Sequence, residues 1–131
     1  MSARSRDGSA VIGESPYGPL SDTPDENGLL LPAGFTSRVV AIAGEAVGAT
    51  SYAWHLFPDG AATFEDGIGG WYYVCNSEVR DFMFLNAGGV SAIHFASDGS
   101  VIDAYRILDG SVANCAGGPT PWGTWLSGEE F

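Results

Sequence analysis

Apolar residues run along this chain in short stretches separated by glycine-bearing turns. No window shows the 3.6-residue apolar repeat with caps that marks an amphipathic helix. The nearest is 77–85, where Val79, Phe82 and Met83 could share a face, and a short turn is expected there. The rest reads as strand. Residues 35–43 (FTSRVVAIA) are β-branched, and 51–57 (SYAWHLF) form a second run closed by the turn signal Pro58-Asp59-Gly60. Residues 71–76 (WYYVCN), opened by Gly69-Gly70, are the strongest strand. Residues 90–95 and 101–108 flank Asp98-Gly99, which predicts a hairpin. A last strand, 124–127, is entered through the glycine- and proline-rich stretch 116–121.

This spacing predicts an all-β fold of antiparallel sandwich or propeller-blade type. Gly70-Trp71 and Trp122-Gly123 hint at blades without a clean repeat. Residues 1–27 are rich in Ser, Gly, Pro, Asp and Glu and read as a flexible or wrapping segment, with Tyr17 and Leu20 docking. Residues 28–131 carry the packed elements. The final strand is followed by nothing that would cover its edge, so the chain is expected to be the front piece of a longer one.

Composition supports a core: 45% of the 131 residues are hydrophobic and only 16% are charged. No apolar run approaches the roughly 20 residues that span a bilayer. The net charge is −11, and all five basic residues are arginines. Such a surface repels phosphate backbones and anionic lipids, which argues against nucleic-acid and membrane partners and in favour of cations. A phosphate substrate would need metal ions to screen the carboxylates. The N-terminus has Arg4 and Arg6 but no apolar stretch after them, so no export signal is visible.

Few residues carry candidate chemistry. Asn76 and Glu78 fall on one side at the mouth of a strand, and both offer oxygen to a hard cation such as Ca²⁺. A plain turn with a solvated glutamate is the commoner meaning of such a pair. Cys115, in the glycine-rich stretch opened by Asn114, reads equally as an exposed thiol able to bind metal and as a small buried residue. Gly117-Gly118 would let backbone approach a ligand. Cys75 lies inside a strand and reads as core; a single disulfide between the two cysteines is left open. Glu129 and Glu130 point opposite ways on a strand, so only one could share a site with the loop. His55 and His94 are each embedded in apolar sequence and read as strand residues. Serine-hydrolase, nucleotide-binding and zincin motifs are absent.

Residues 114–130 (NCAGGPTPWGTWLSGEE) closely resemble the signature of the PhoX-type alkaline phosphatases. So do 28–38 (GLLLPAGFTSR), 52–60 (YAWHLFPDG), 69–78 (GGWYYVCNSE) and Gly88-Gly89-Val90-Ser91. The resemblance covers about residues 17–131. It implies a β-propeller, of which this chain would supply the first blade or two, with the remainder coming from sequence beyond it. It implies hydrolysis of small phosphomonoesters with Ca²⁺ and Fe³⁺, and a periplasmic or secreted location. It makes Cys115 an iron ligand. Glu78, Glu129 and Glu130 match motif glutamates, and Asn76 and Asn114 complete the candidate metal set. Two positions depart from the pattern: Gly128 stands where a second cysteine is usual, and Cys75 where serine is. A 131-residue piece alone is not expected to assemble a complete centre. Two alternatives stay open: a non-catalytic binding module derived from a propeller, and a Ca²⁺-dependent lactonase-like propeller, which would not need Cys115.

Overall fold

The computed structural model describes residues 15–80 and 87–130. They form an all-β structure without helix, in two compact units divided after Val39. The described part of the first unit has no strands. Its chain doubles back through a bridge between Leu20 and Pro32, and Tyr17 meets Phe35 edge-on at 5.4 Å. Asp25 pins the turn, accepting from the Asn27 and Leu29 amides and from the Ser37 hydroxyl.

The second unit holds six strands: β1 (Pro58–Glu65), β2 (Trp71–Ser77), β3 (Gly88–Phe95), β4 (Val101–Ser111), β5 (Asn114–Pro119) and β6 (Trp125–Glu129). The first four pair in chain order as an antiparallel meander, and β5 and β6 form a separate hairpin. Neither a closed barrel nor a propeller is formed among the described residues. The Asp98-Gly99 hairpin stands between β3 and β4 as the sequence predicts. The expected turn at 77–85 is not assigned: Ser77 ends β2, and 81–86 lie outside the described residues.

Two expected strands are not strands. Residues 35–43 run irregularly, with Phe35, Val39 and Ile42 about half exposed or more. Residues 51–57 are apolar because they cover the sheet rather than join it. They belong to a doubled-back loop closed by Gly44 N–H to Trp54 C=O (2.8 Å) and Trp54 N–H to Glu45 C=O (2.8 Å). Conversely, Pro58-Asp59-Gly60 is not a turn but the start of β1. Proline is tolerated as the first residue of an edge strand, where no ladder donor is required.

The pleat sends alternate side chains to opposite faces. On one face Cys75, Ile93, Phe95 and Ala104 pack against Val47 and Trp54 from the covering loop. On the other, Val74, Val90 and Ala92 meet Phe64, Tyr72 and Trp125. A polar group interrupts the first face. Ser91, fully buried, bonds both His55 Nδ1 (2.7 Å) and the Tyr52 hydroxyl (2.6 Å), which fixes the covering loop on the sheet. His94, by contrast, does lie in a strand, paired with Asp66 at 2.9 Å and stacked on Tyr72. The hydrogen bond from His94 holds the Asp66 carboxyl below its usual range, helped by the Ile68 and Gly70 amides.

Burial, reinforced by the charge of Arg106, pushes the His55 pKa down to about 4. The unfolded chain therefore takes up a proton that the folded chain refuses between the ordinary histidine value and about 4. Stability from this site is complete above that window and is lost as pH falls through it, by about 3 kcal/mol. Urea unfolding at pH 8 and pH 4 should show this loss, and His55→Asn should remove most of it. Asp25 and Asp66 have lowered values, and their contributions begin to fall only near the bottom of this window, from about pH 5 down, so most of the loss above pH 5 belongs to His55.

Candidate metal centre

Asp59, Glu78 and Cys115 come together at one end of the sheet. One ligand atom from each lies within 4.8 Å of the others. Local irregularity puts two of them there. In the β1–β2 ladder the register steps from Pro58↔Ser77 to Ala61↔Cys75, so Asp59 and Gly60 face the single residue Asn76. In the β5–β6 ladder it steps from Asn114↔Glu129 to Gly117↔Ser127, so Cys115 and Ala116 face Gly128. Both are β-bulges, which bend a strand and re-aim its side chains. Glu78 follows the last residue of β2.

The two bulges fit closely. A Cβ on Gly60 would lie 2.6 Å from the Cys115 carbonyl oxygen, so only glycine allows this approach. Backbone strain sits on either side. Phe57 and Ala113 hold φ of 49° and 48°, each two residues before a cluster member. This left-handed region is unfavourable for residues with a Cβ, and such strain persists only where surrounding bonds impose it. Here Glu78 N–H bonds the Phe57 carbonyl (2.9 Å), and Ala113 is tied through its N–H to Val79 and through its carbonyl to Glu130.

Asn76 supports the whole arrangement. It is fully buried, and its Nδ2 donates to the carbonyls of Cys115 (2.8 Å) and Ala116 (3.0 Å). Its Oδ1 accepts from Trp125 Nε1 and from the Ser127 hydroxyl, both at 2.9 Å. Asn114, also buried, accepts from Ser111 and donates to Ser127. Both amides are taken up in this polar seam, which carries the cluster from behind. Glu129 accepts from the Val112 amide at 2.6 Å. Glu130 joins Arg80, which also holds Glu78, at 3.2 and 3.1 Å. Of the six candidate ligands, then, the structure brings Glu78 and Cys115 into the cluster and Glu130 to its margin. Glu129 is not in the cluster.

Sequence reasoning missed Asp59, read as a turn residue, and the link made by Arg80. A glycine within a strand run is a bulge signal, and Gly60 was the available clue. Gly117 serves packing, not a ligand: a Cβ there would strike the Trp125 ring. The cysteines are unlinked. Cys75 is buried, which pushes its thiol pKa up, and it reads as core as expected.

The donor set suits a cation. Two atoms bound to one ion at about 2.0–2.4 Å can stand at most about 4.8 Å apart, and the three groups meet that limit. The Cys115 thiol is pushed up to about 11, first by its hydrogen bond to Asp59, then by desolvation and by the charges of Asp59, Glu130 and Glu78. A cation would reverse that field and draw out the thiolate.

The family model described as Alkaline phosphatase PhoX matches residues 69–131. The resemblance to these phosphatases therefore holds over β2 to β6, including Glu78, Cys115, Glu129 and Glu130. Asp59 and the upstream motifs lie outside the matched stretch. No curated protein and no solved structure matches the chain.

Asn76→Ala should leave two carbonyls, an indole N–H and a hydroxyl without their buried partner. The expected loss is about 3 kcal/mol of folding stability, read by urea unfolding. Loss of bound metal with stability unchanged would instead make Asn76 a ligand.

Proposed function

We propose that this chain carries a cation site of a metal-dependent phosphomonoester hydrolase of the PhoX type. The observation that supports it most directly is the convergence of Asp59, Glu78 and Cys115, two of them within the stretch that matches the family. In this reading Cys115 supplies the soft anionic ligand that favours iron, and Asp59 and Glu78 supply oxygen that serves iron or calcium. A bound cation would screen the surrounding carboxylates and polarise a phosphoryl oxygen. The protein's part is positional. The bulges aim Asp59 and Cys115 at one point, and the Asn76 seam keeps β5 and β6 against the sheet. Three protein ligands leave further coordination positions for water, substrate oxygen or other groups. The four-stranded meander is the unit from which propeller blades are built, and the propeller architecture belongs to this proposal. A calcium-only lactonase-like site gives no role to the thiol in the cluster, which favours the phosphatase reading. Export to the periplasm or beyond belongs to the same reading.

Cys115→Ser exchanges a soft anionic sulfur for a hard neutral hydroxyl. Iron retained on the chain should fall at least about tenfold, and calcium should fall less. Asp59→Asn should weaken both, and Cys75→Ser should leave both in place. Elemental mass spectrometry of the four proteins after metal loading reads these outcomes. Full iron retention by Cys115→Ser would overturn the assignment. Hydrolysis of a chromogenic phosphomonoester that survives chelation would remove metal from the mechanism.

A further inference from the structure

The sheet face that carries Val74 and Ala92 holds a second concave site, away from the cation cluster. Val74, Ala92 and Tyr105 are ladder partners on β2, β3 and β4, so they share this face. The middle of the row is small because Ala92 stands there. Large residues surround it. Phe64 and Tyr72 are partners on β1 and β2, Tyr105 rises from β4, and Trp125 comes over from the hairpin. A low centre inside a high rim makes a groove of about 340 Å³ between four aromatic side chains. Phe64, Tyr72 and Trp125 pack on the buried residues below and stay half-buried. Tyr105 keeps 38% of its surface exposed.

The charge at this groove has one sign. Glu65 lines it, and no arginine or histidine does. Desolvation raises the Tyr105 pKa, and Tyr72 and the Asp103 carboxylate raise it further, which places that carboxylate near the ring. His94 stacks on Tyr72, but Asp66 already meets it at 2.9 Å. The chain as a whole carries −11. An anion is therefore opposed here and a cation favoured. The walls are ring and aliphatic carbon. A primary ammonium would bring three N–H donors against them, and burying unpaired donors is costly. A quaternary ammonium has no N–H to satisfy, touches several walls at once and is attracted by the negative faces of aromatic rings.

We propose that this groove binds the quaternary ammonium group of a small, freely soluble organic cation, with Tyr72, Tyr105 and Trp125 as walls and Glu65 at the rim. The site shares no residue with the Asp59, Glu78 and Cys115 cluster. It goes beyond the phosphatase reading and does not depend on it.

Two probes test it on the full chain: choline, and the uncharged alcohol in which a tert-butyl group replaces its trimethylammonium. Both are titrated by calorimetry and tryptophan emission in about 0.15 M sodium chloride, which screens general attraction to the acidic surface. Choline should bind at least about tenfold more tightly than the alcohol. Tyr105→Leu keeps an apolar wall without a ring. It should weaken choline at least about threefold and leave the alcohol unchanged. Glu65→Gln should weaken choline alone. Both residues are exposed, and circular dichroism checks that the two variants keep the fold. Equal affinity for choline and the alcohol overturns the proposal and makes the groove a plain packing surface. So does choline binding that neither variant changes, or a wild type that binds no choline. Capture of the chain on phosphatidylcholine vesicles without binding of free choline also overturns it, because the group would then be read in a lipid surface.

Discussion

The buried amide of Asn76 is the constraint on which the second unit depends. It spends two donors on β5 and its oxygen on two groups of β6, from a position within β2. Without it the β5–β6 hairpin would be left with the packing of Trp125, the Cys115–Asp59 hydrogen bond and the Ala113–Val79 bond at its entry. The Arg80 bridge also joins the end of β2 to the end of β6, but it is partly exposed. Exposed ion pairs contribute from nothing to about 1 kcal/mol, whereas removing this fully buried amide from its four part-buried partners costs about 3 kcal/mol. The neutral seam therefore fixes where the site is, and the ion pairs act on its charge.

Backbone strain gathers at the two corners beside that seam. Phe57 and Ala113 occupy a backbone region that glycine tolerates far better. Their amide and carbonyl partners, Glu78, Val79 and Glu130, are the residues that lead out of β2 and β6. The chain is bent at two corners so that two bulges can face each other. Gly60 is small because the Cys115 carbonyl occupies the place of a side chain. A cluster of one thiol and two carboxylates is expensive to assemble in the absence of a cation, and the strain is part of that expense.

Element type was largely legible in the sequence, and element role was not. The runs 71–76, 90–95 and 101–108 read as strands because they pair in one ladder, the first two between neighbours and the third at its edge, and the Asp98-Gly99 turn joins the last two. The run 51–57 has the same composition for another reason: Tyr52, Trp54 and His55 cover a sheet face, and covering needs apolar residues without needing a ladder. β1 was hidden because Pro58-Asp59-Gly60 spells a turn, and in the structure these three residues open a strand through a bulge. The ligand types were legible in the same way. Glu78 and Cys115 could be picked from strand ends and glycine-rich sequence. Asp59 could not, since a bulge is defined by the partner strand and the partner is invisible locally. Asn76 was legible as polar but not as buried, because whether an amide oxygen serves a cation or an indole depends on what the hairpin brings to it.

Gly128 shows how much of the local pattern tolerates change. It faces the bulge formed by Cys115 and Ala116, and a Cβ placed there would meet only the Ala116 carbonyl at 3.4 Å, an ordinary contact. The backbone thus has room for the cysteine that the resembling family usually carries at this position. The fold does not require glycine here, in contrast to Gly60 and Gly117, where neighbouring atoms fill the space. Substitution at Gly128 therefore changes the chemistry available opposite Cys115 without changing the framework that holds it. The framework lies in the two glycines that a side chain would break and in the amide that binds four partners.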